Sequence, residues 1–163
     1  MYRYIIKTKM NKYITLLRGI NVGGHRKILM ADLKLMFEDL GALNVNTYIQ
    51  SGNVIFEHKN ESASGLSDFI SKKIKNKFDF EVPTITFPVE EFVKIISINP
   101  FIDSSSVENL HVTFLSSSLT TKEIEVVTTQ TTAMEKGQDK YEIIGRAVYI
   151  KCVGKYSKSK LTN

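Results

Sequence analysis

Hydrophobic and polar positions change period several times along the chain. Lys12 to Ile20 alternates and is rich in β-branched and aromatic residues, which predicts a strand. Leu29, Leu33, Met36, Phe37 and Leu40 then recur at helical spacing, and Gly41 supplies a stop. Val45 to Gln50 and Val54 to His58 read as two strands joined across Ser51-Gly52-Asn53. Leu66, Phe69, Ile70, Ile74 and Phe78 mark a second helix, with Lys72, Lys73, Lys75 and Lys77 mostly on its solvent side. Pro83 to Phe87 is a further strand, closed by Pro88.

This order, β-α-β-β-α-β, predicts an α+β fold: a ferredoxin-like plait over residues 12–88, with both helices on one face of an antiparallel sheet. Residues 1–11 precede it as an extension, and Met10 is an alternative start to Met1. A linker over 89–109 holds a short helix, Glu90 to Ile98, closed by Asn99-Pro100. From 110 to 163 the pattern repeats in part. His111 to Leu115 is a strand, Thr120 to Met134 a helix, and Tyr141–Ile144 with Ala147–Cys152 a hairpin across Gly145-Arg146. A full plait needs another helix and strand, so the second plait is expected to be incomplete at its C-terminal side. That would leave apolar surface and a sheet edge exposed, which predicts a homodimer through the edge or instability beyond the first domain.

The plait topology places the loop after strand one and the hairpin after strand two on the same rim. The first loop reads Arg18-Gly19-Ile20-Asn21-Val22-Gly23-Gly24-His25-Arg26-Lys27, the second Gln50-Ser51-Gly52-Asn53. Two readings stay open. Backbone amides of the glycine loop and helix start, with Arg18 as charge partner and Arg26 or Lys27 assisting, suit a phosphate or carboxylate. Alternatively the glycines only make a tight turn and Asn21 bonds the backbone. The G-x-x-x-x-G spacing is followed by His25-Arg26 instead of Lys-Ser/Thr, which argues against a nucleotide triphosphatase. Gln50, Ser51 and Asn53 either read a polar ligand or satisfy the turn. The candidate ligand contacts are therefore Arg18, Asn21, Gly23, Gly24, His25, Gln50, Ser51 and Asn53.

Charge adds a second possibility. The net +5 is uneven: seven Lys or Arg and no acid precede Asp32, and five follow Glu142 with no acid. Were the two ends to meet, they would suit nucleic acid or another polyanion, whereas separate lysine-rich tails would be merely solvated. Tyr13 and Tyr48 are candidates to stack a base or to cover the open sheet face. An enzyme on the same loops, with His25 as acid or base, is a third reading, though no nucleophile–base pair is visible and Ser51 lacks a G-x-S-x-G context. Ser157-Lys158-Ser159-Lys160 fits S-x-x-K without its companion motifs, and Asn60-Glu61-Ser62 is a glycosylation triplet. No cofactor is expected. His25, His58 and His111 lack metal-ligand spacing, and the last two read as strand-end or surface residues. Cys152 is the only cysteine, and no signal-peptide core or membrane-length apolar run is present, so a cytoplasmic location is expected.

Leu16 to Gly24 and Thr47 to Phe56 resemble an uncharacterised, mostly bacterial family, domain of unknown function 1697. Asn99-Pro100-Phe101, Leu110 to Leu115 and Ser157 to Thr162 extend the likeness from about Lys12 onward. The resemblance implies two plait-like subdomains. It supplies no activity and no catalytic residues. Family members usually continue through another helix and a tryptophan-bearing segment, and this chain has no Trp.

Overall fold

The computed structural model describes residues 9–59, 62–132, 139–154, 156, 159 and 161, with the side chain of Thr132 left aside. Most of the N-terminal extension, Asn60-Glu61 and most of the Lys155–Lys160 tail lie outside them. The chain divides into two compact units, 1–92 and 93–163.

In the first unit the elements are β1 (Asn11–Leu17), α1 (Met30–Asp39), β2 (Leu43–Tyr48), β3 (Asn53–His58), α2 (Ala63–Phe78) and β4 (Thr84–Pro88). The strands lie in the order β2-β3-β1-β4, every neighbour antiparallel. Strand alternation decides which face is buried. Tyr13 and Leu17 of β1 and Phe56 of β3 join Leu33, Phe37 and Ile70 from the helices in one core. Phe56 meets Phe37 edge-on at 5.0 Å between ring centroids. Tyr13 is buried in this core and is therefore neither a base-stacking platform nor a cover for the open face.

The two helices start differently. Ser62 caps α2 by accepting the Gly65 N–H at 3.0 Å, and Asp79 ends it in the left-handed region. By contrast, Leu29 precedes α1 with no side-chain cap. Helix α2 is tied to β4 by polar bonds: the Thr86 N–H donates to Ser67 Oγ at 2.8 Å, and Thr84 Oγ1 to the Ser67 carbonyl at 2.8 Å.

Helix α3 (Val89–Ser97) runs through the division between units. In the first unit its Phe92 ring faces Phe87 at 6.3 Å, covering part of the sheet's other face. The second unit holds β5 (Leu110–Phe114), α4 (Thr121–Thr132), β6 (Lys140–Ile144) and β7 (Ala147–Lys151), preceded by two short 3-10 turns. Its sheet has the order β5-β7-β6, also antiparallel, which is the arrangement of β1, β3 and β2 over again. Among the described residues no strand occupies the place beside β5 that β4 takes beside β1. Tyr149 is buried and donates its hydroxyl to the Ile95 carbonyl at 2.7 Å. Desolvation raises its pKa above the ordinary phenol value.

His58 ends β3 and His111 is the second residue of β5, so both stand near strand ends as expected, but neither is fully exposed. His58 is buried, with Nε2 at 3.3 Å from the Leu40 carbonyl. The His111 ring lies 4.0 Å from that of Tyr156, tilted by 41°, and is only partly accessible. The Leu40 carbonyl at the end of α1 and the Tyr156 ring are the neighbours that take each of them partly out of solvent.

Candidate functional site

The loop leaving β1 and the β2–β3 turn meet through one side chain. Asn21 sits at φ 57°, a left-handed conformation that Asn tolerates better than other residues with a Cβ. Its Nδ2 donates to the Ile28 carbonyl and to the Gln50 carbonyl, both at 2.9 Å. Its Oδ1 accepts the Ile28 N–H, also at 2.9 Å. Both amide hydrogens are thereby used, so Asn21 staples the two loops and has no donor left for a ligand.

Between Val22 and His25 the loop makes its own small turn. The His25 N–H donates to the Val22 carbonyl at 3.0 Å and the Asn21 N–H to the Arg26 carbonyl at 3.2 Å. Gly23 and Gly24 are its two central residues, at φ 59° and 79°, the signs a primed hairpin turn demands. The glycines therefore form a hairpin tip, and five residues, His25 to Leu29, intervene before α1. A phosphate loop would run directly from glycines into helix. This spacing is a further departure from that pattern.

The second loop depends on Gly52. At φ 84°, a Cβ there would lie 2.5 Å from Ile20 Cδ1 and 3.0 Å from Leu17 Cβ. The hairpin can rest on the end of β1 only because that atom is missing. The turn is Ile49–Gly52, starting two positions before the expected Ser51, and β3 starts at Asn53, one position before the expected Val54. Ile49 adopts φ 48° and is exposed, an unusual conformation for a β-branched residue. Asn53 Nδ2, at the start of β3, donates to Ser51 Oγ in the turn at 3.1 Å.

A cavity of about 280 Å³ opens beside the staple, lined by Asn21, Gly24, Lys27, Ile28, Leu29, Met30 and Gln50. Of the eight sequence-derived candidates, Asn21, Gly24 and Gln50 line it; Arg18, Gly23, His25, Ser51 and Asn53 do not. Ile28, Leu29 and Met30 were missed as lining: Leu29 reads as the first apolar position of a helix, and Ile28 and Met30 stand out by no motif. Leu29 is instead 72% exposed and stands before α1. The available signal was the absence of Ser, Thr, Asp or Asn just before the helix, which marks an uncapped start.

Charge around the rim is mostly positive. Arg18 and Lys27 are exposed, and Lys77 Nζ reaches the Asp32 carbonyl at 3.4 Å, bringing the end of α2 beside the first turn of α1. The Asp32 side chain adds one opposing charge in that turn. Lys75 and Glu81 neutralise each other at 2.6 Å. Their hydrogen bond holds the carboxyl below its usual range and the ammonium above its own; Arg26 adds a smaller pull on Glu81. No group of three or more His, Cys, Asp or Glu residues able to hold a metal occurs among the described residues. Nor is any described helix long and apolar enough to cross a membrane.

Comparison with curated proteins gives no match. Among solved structures, the chain is similar to the conserved bacterial protein SP0830 from Streptococcus pneumoniae, with 24% identity and a TM-score of 0.75. The match covers 95% of this chain and 85% of that one, and it supports the α+β fold alone. A family model described as protein of unknown function (DUF1697) matches residues 10–149. That match spans both units, and the chain belongs to this family of proteins of unknown function.

Proposed function

We propose that the first unit is a binding module for a small ligand with a phosphate or carboxylate head and an apolar body. The observation that carries this reading is the composition of the rim cavity: Ile28, Leu29 and Met30 beside Lys27 and the start of α1. The apolar residues offer a surface that water wets poorly, which favours an organic body. Lys27 and the uncapped helix start favour negative charge at one end of it. Arg18 lies on the same loop outside the lining and adds positive charge to the rim without a contact role in the cavity. Asn21 and Gly52 are positioning residues, since they hold the two loops against each other.

Calorimetric titration with hexanoate and with inorganic phosphate tests the proposal. Saturable binding of at least one probe is expected, weakened about tenfold or more by Lys27→Ala, which corresponds to about 1.4 kcal/mol. Arg18→Ala separates the contribution of the added rim charge. Lack of heat with both probes, or binding indifferent to both substitutions, would reject it. A steep loss of binding to DNA or RNA with salt, unaffected by Lys27→Ala, would instead favour the basic termini as a polyanion surface.

A further inference from the structure

We propose that the rim of the first unit docks on a lipid bilayer bearing anionic headgroups, with Val22, Leu29 and Ile49 entering the bilayer interface. Among the described residues of this unit, four large hydrophobic side chains exceed the rest in exposure. They are Leu29 at 72%, Val22 and Tyr48 at 67% and Ile49 at 59%. All four stand on, or immediately beside, the two loops that Asn21 staples. Apolar residues scattered singly over a surface need no explanation, but a group gathered on adjoining loops does.

The staple fixes where these side chains sit. Asn21 bonds both backbone groups of Ile28 and the Gln50 carbonyl. Val22, Leu29 and Ile49 are the chain neighbours of those three residues, so their backbones are held together while their side chains stay in solvent. Val22 opens the two-glycine hairpin tip. Ile49 holds φ 48°, a conformation that glycine or Asn adopts at lower cost. Moving the Ile49 side chain out of water would offset that strain. Neither loop adjoins an undescribed residue, since those of this unit join the sheet at its other end, beside the Asn11–His58 pair.

Charge complementarity selects the occupant. From Arg18 to Ala31 the chain carries Arg18, Arg26 and Lys27, with His25 among them and no acid; all four are exposed. Tyr48 to Asn53 carry no charge. The opposing groups are Asp32, in the first turn of α1, and Glu81, which Lys75 already pairs at 2.6 Å. Apolar tips flanked by cations match the bilayer interface, where apolar atoms leave water and cations remain among phosphates. A nucleic acid gains little from Val22, Leu29 and Ile49, because its affinity comes from phosphate contacts and from stacking on flat rings. This surface does not depend on the cavity, which Val22 and Ile49 do not line.

Co-sedimentation of the full chain with sucrose-loaded vesicles tests the proposal. Binding is expected to vesicles of equal parts phosphatidylcholine and phosphatidylglycerol, not to phosphatidylcholine alone, and is expected to weaken as salt screens the cations. Val22→Ser combined with Ile49→Asn keeps the charge and is expected to weaken vesicle binding about tenfold or more. Both side chains are exposed and Asn suits the left-handed backbone, so the circular dichroism spectrum is expected to persist. Should that variant lose its fold, Arg18→Gln is expected to weaken binding about fivefold at low salt. Because these residues lie outside the cavity lining, failure here and failure of hexanoate to bind are separate results. A chain that stays in the supernatant with the mixed vesicles overturns the proposal, as does equal binding to the neutral ones. So does vesicle binding that the folded double variant leaves unchanged, or capture by polyuridylate without capture by vesicles.

Discussion

Replacing Asn21 should separate the two physical jobs this residue performs. Its side chain makes three hydrogen bonds, two of them to the backbone of buried Ile28. A net bond is worth about 0.5–1.5 kcal/mol, more where a buried group is left unpaired. The Gln50 bond is exposed, and water replaces much of it. Removing all three by Asn21→Gly is therefore expected to cost about 2–3 kcal/mol. Asn21→Ala loses the same bonds and, unlike glycine, keeps a Cβ in the left-handed conformation, at about 1–2 kcal/mol relative to glycine. Glycine's greater freedom in the unfolded chain offsets about 0.5–1 kcal/mol of that difference. Alanine should thus be the less stable variant by about 0.5–1 kcal/mol, a net of the two preceding terms. Urea unfolding of the first unit, followed by circular dichroism, measures both. Variants within about 0.5 kcal/mol of the parent, or glycine less stable than alanine, would refute the assignment of Asn21 as a staple.

Two other sites give contrasting expectations. Gly52→Ala is expected to cost about 2–4 kcal/mol, because a left-handed φ combines with a Cβ 3.0 Å from that of Leu17. Gly145→Ala, at φ 57° with nothing within 4 Å, should cost only about 1–2 kcal/mol; equal losses in thermal or urea melts would contradict the close-approach argument. Tyr149→Phe should lose about 1–2 kcal/mol near neutral pH, since the Ile95 carbonyl forfeits its donor. Because burial raises the Tyr149 pKa, its contribution is complete below the ordinary phenol value of about 10 and declines as pH rises past it. The phenylalanine variant should therefore show a shallower alkaline loss of stability than the parent; parallel curves above about pH 10 would be the wrong result.

Period changes in the hydrophobic pattern made the βαββαβ order of the first unit readable, because its helices and strands each bury one face. Leu33, Met36 and Phe37, or Leu66, Ile70 and Ile74, are both periodic and buried. Boundaries followed less well where backbone geometry overrides side-chain pattern. Ile49 and Gln50 continue the alternation of β2 yet form the turn, because Gly52 must rest on Ile20 and the Gln50 carbonyl must meet Asn21. Leu29 looked like helix core and is an exposed flank, since nothing caps α1 ahead of Met30. How far His58 and His111 are withdrawn from solvent depends on the Leu40 carbonyl and the Tyr156 ring, which no local pattern records. At the candidate site, the meeting of the loops followed from topology. Which side chains face the cavity did not, because Asn21 spends its amide on the two loops and Asn53 turns one N–H to Ser51.

Residue-resolved amide shifts of the 15N-labelled protein, titrated with hexanoate, test the rim site most directly. Saturable shifts are expected at Gly24, at Lys27 through Met30 and at Gln50, with the affinity reduced about tenfold or more in Lys27→Ala. Shifts that rise linearly with concentration, or that spread over the surface lysines without favouring these residues, would contradict binding in the cavity.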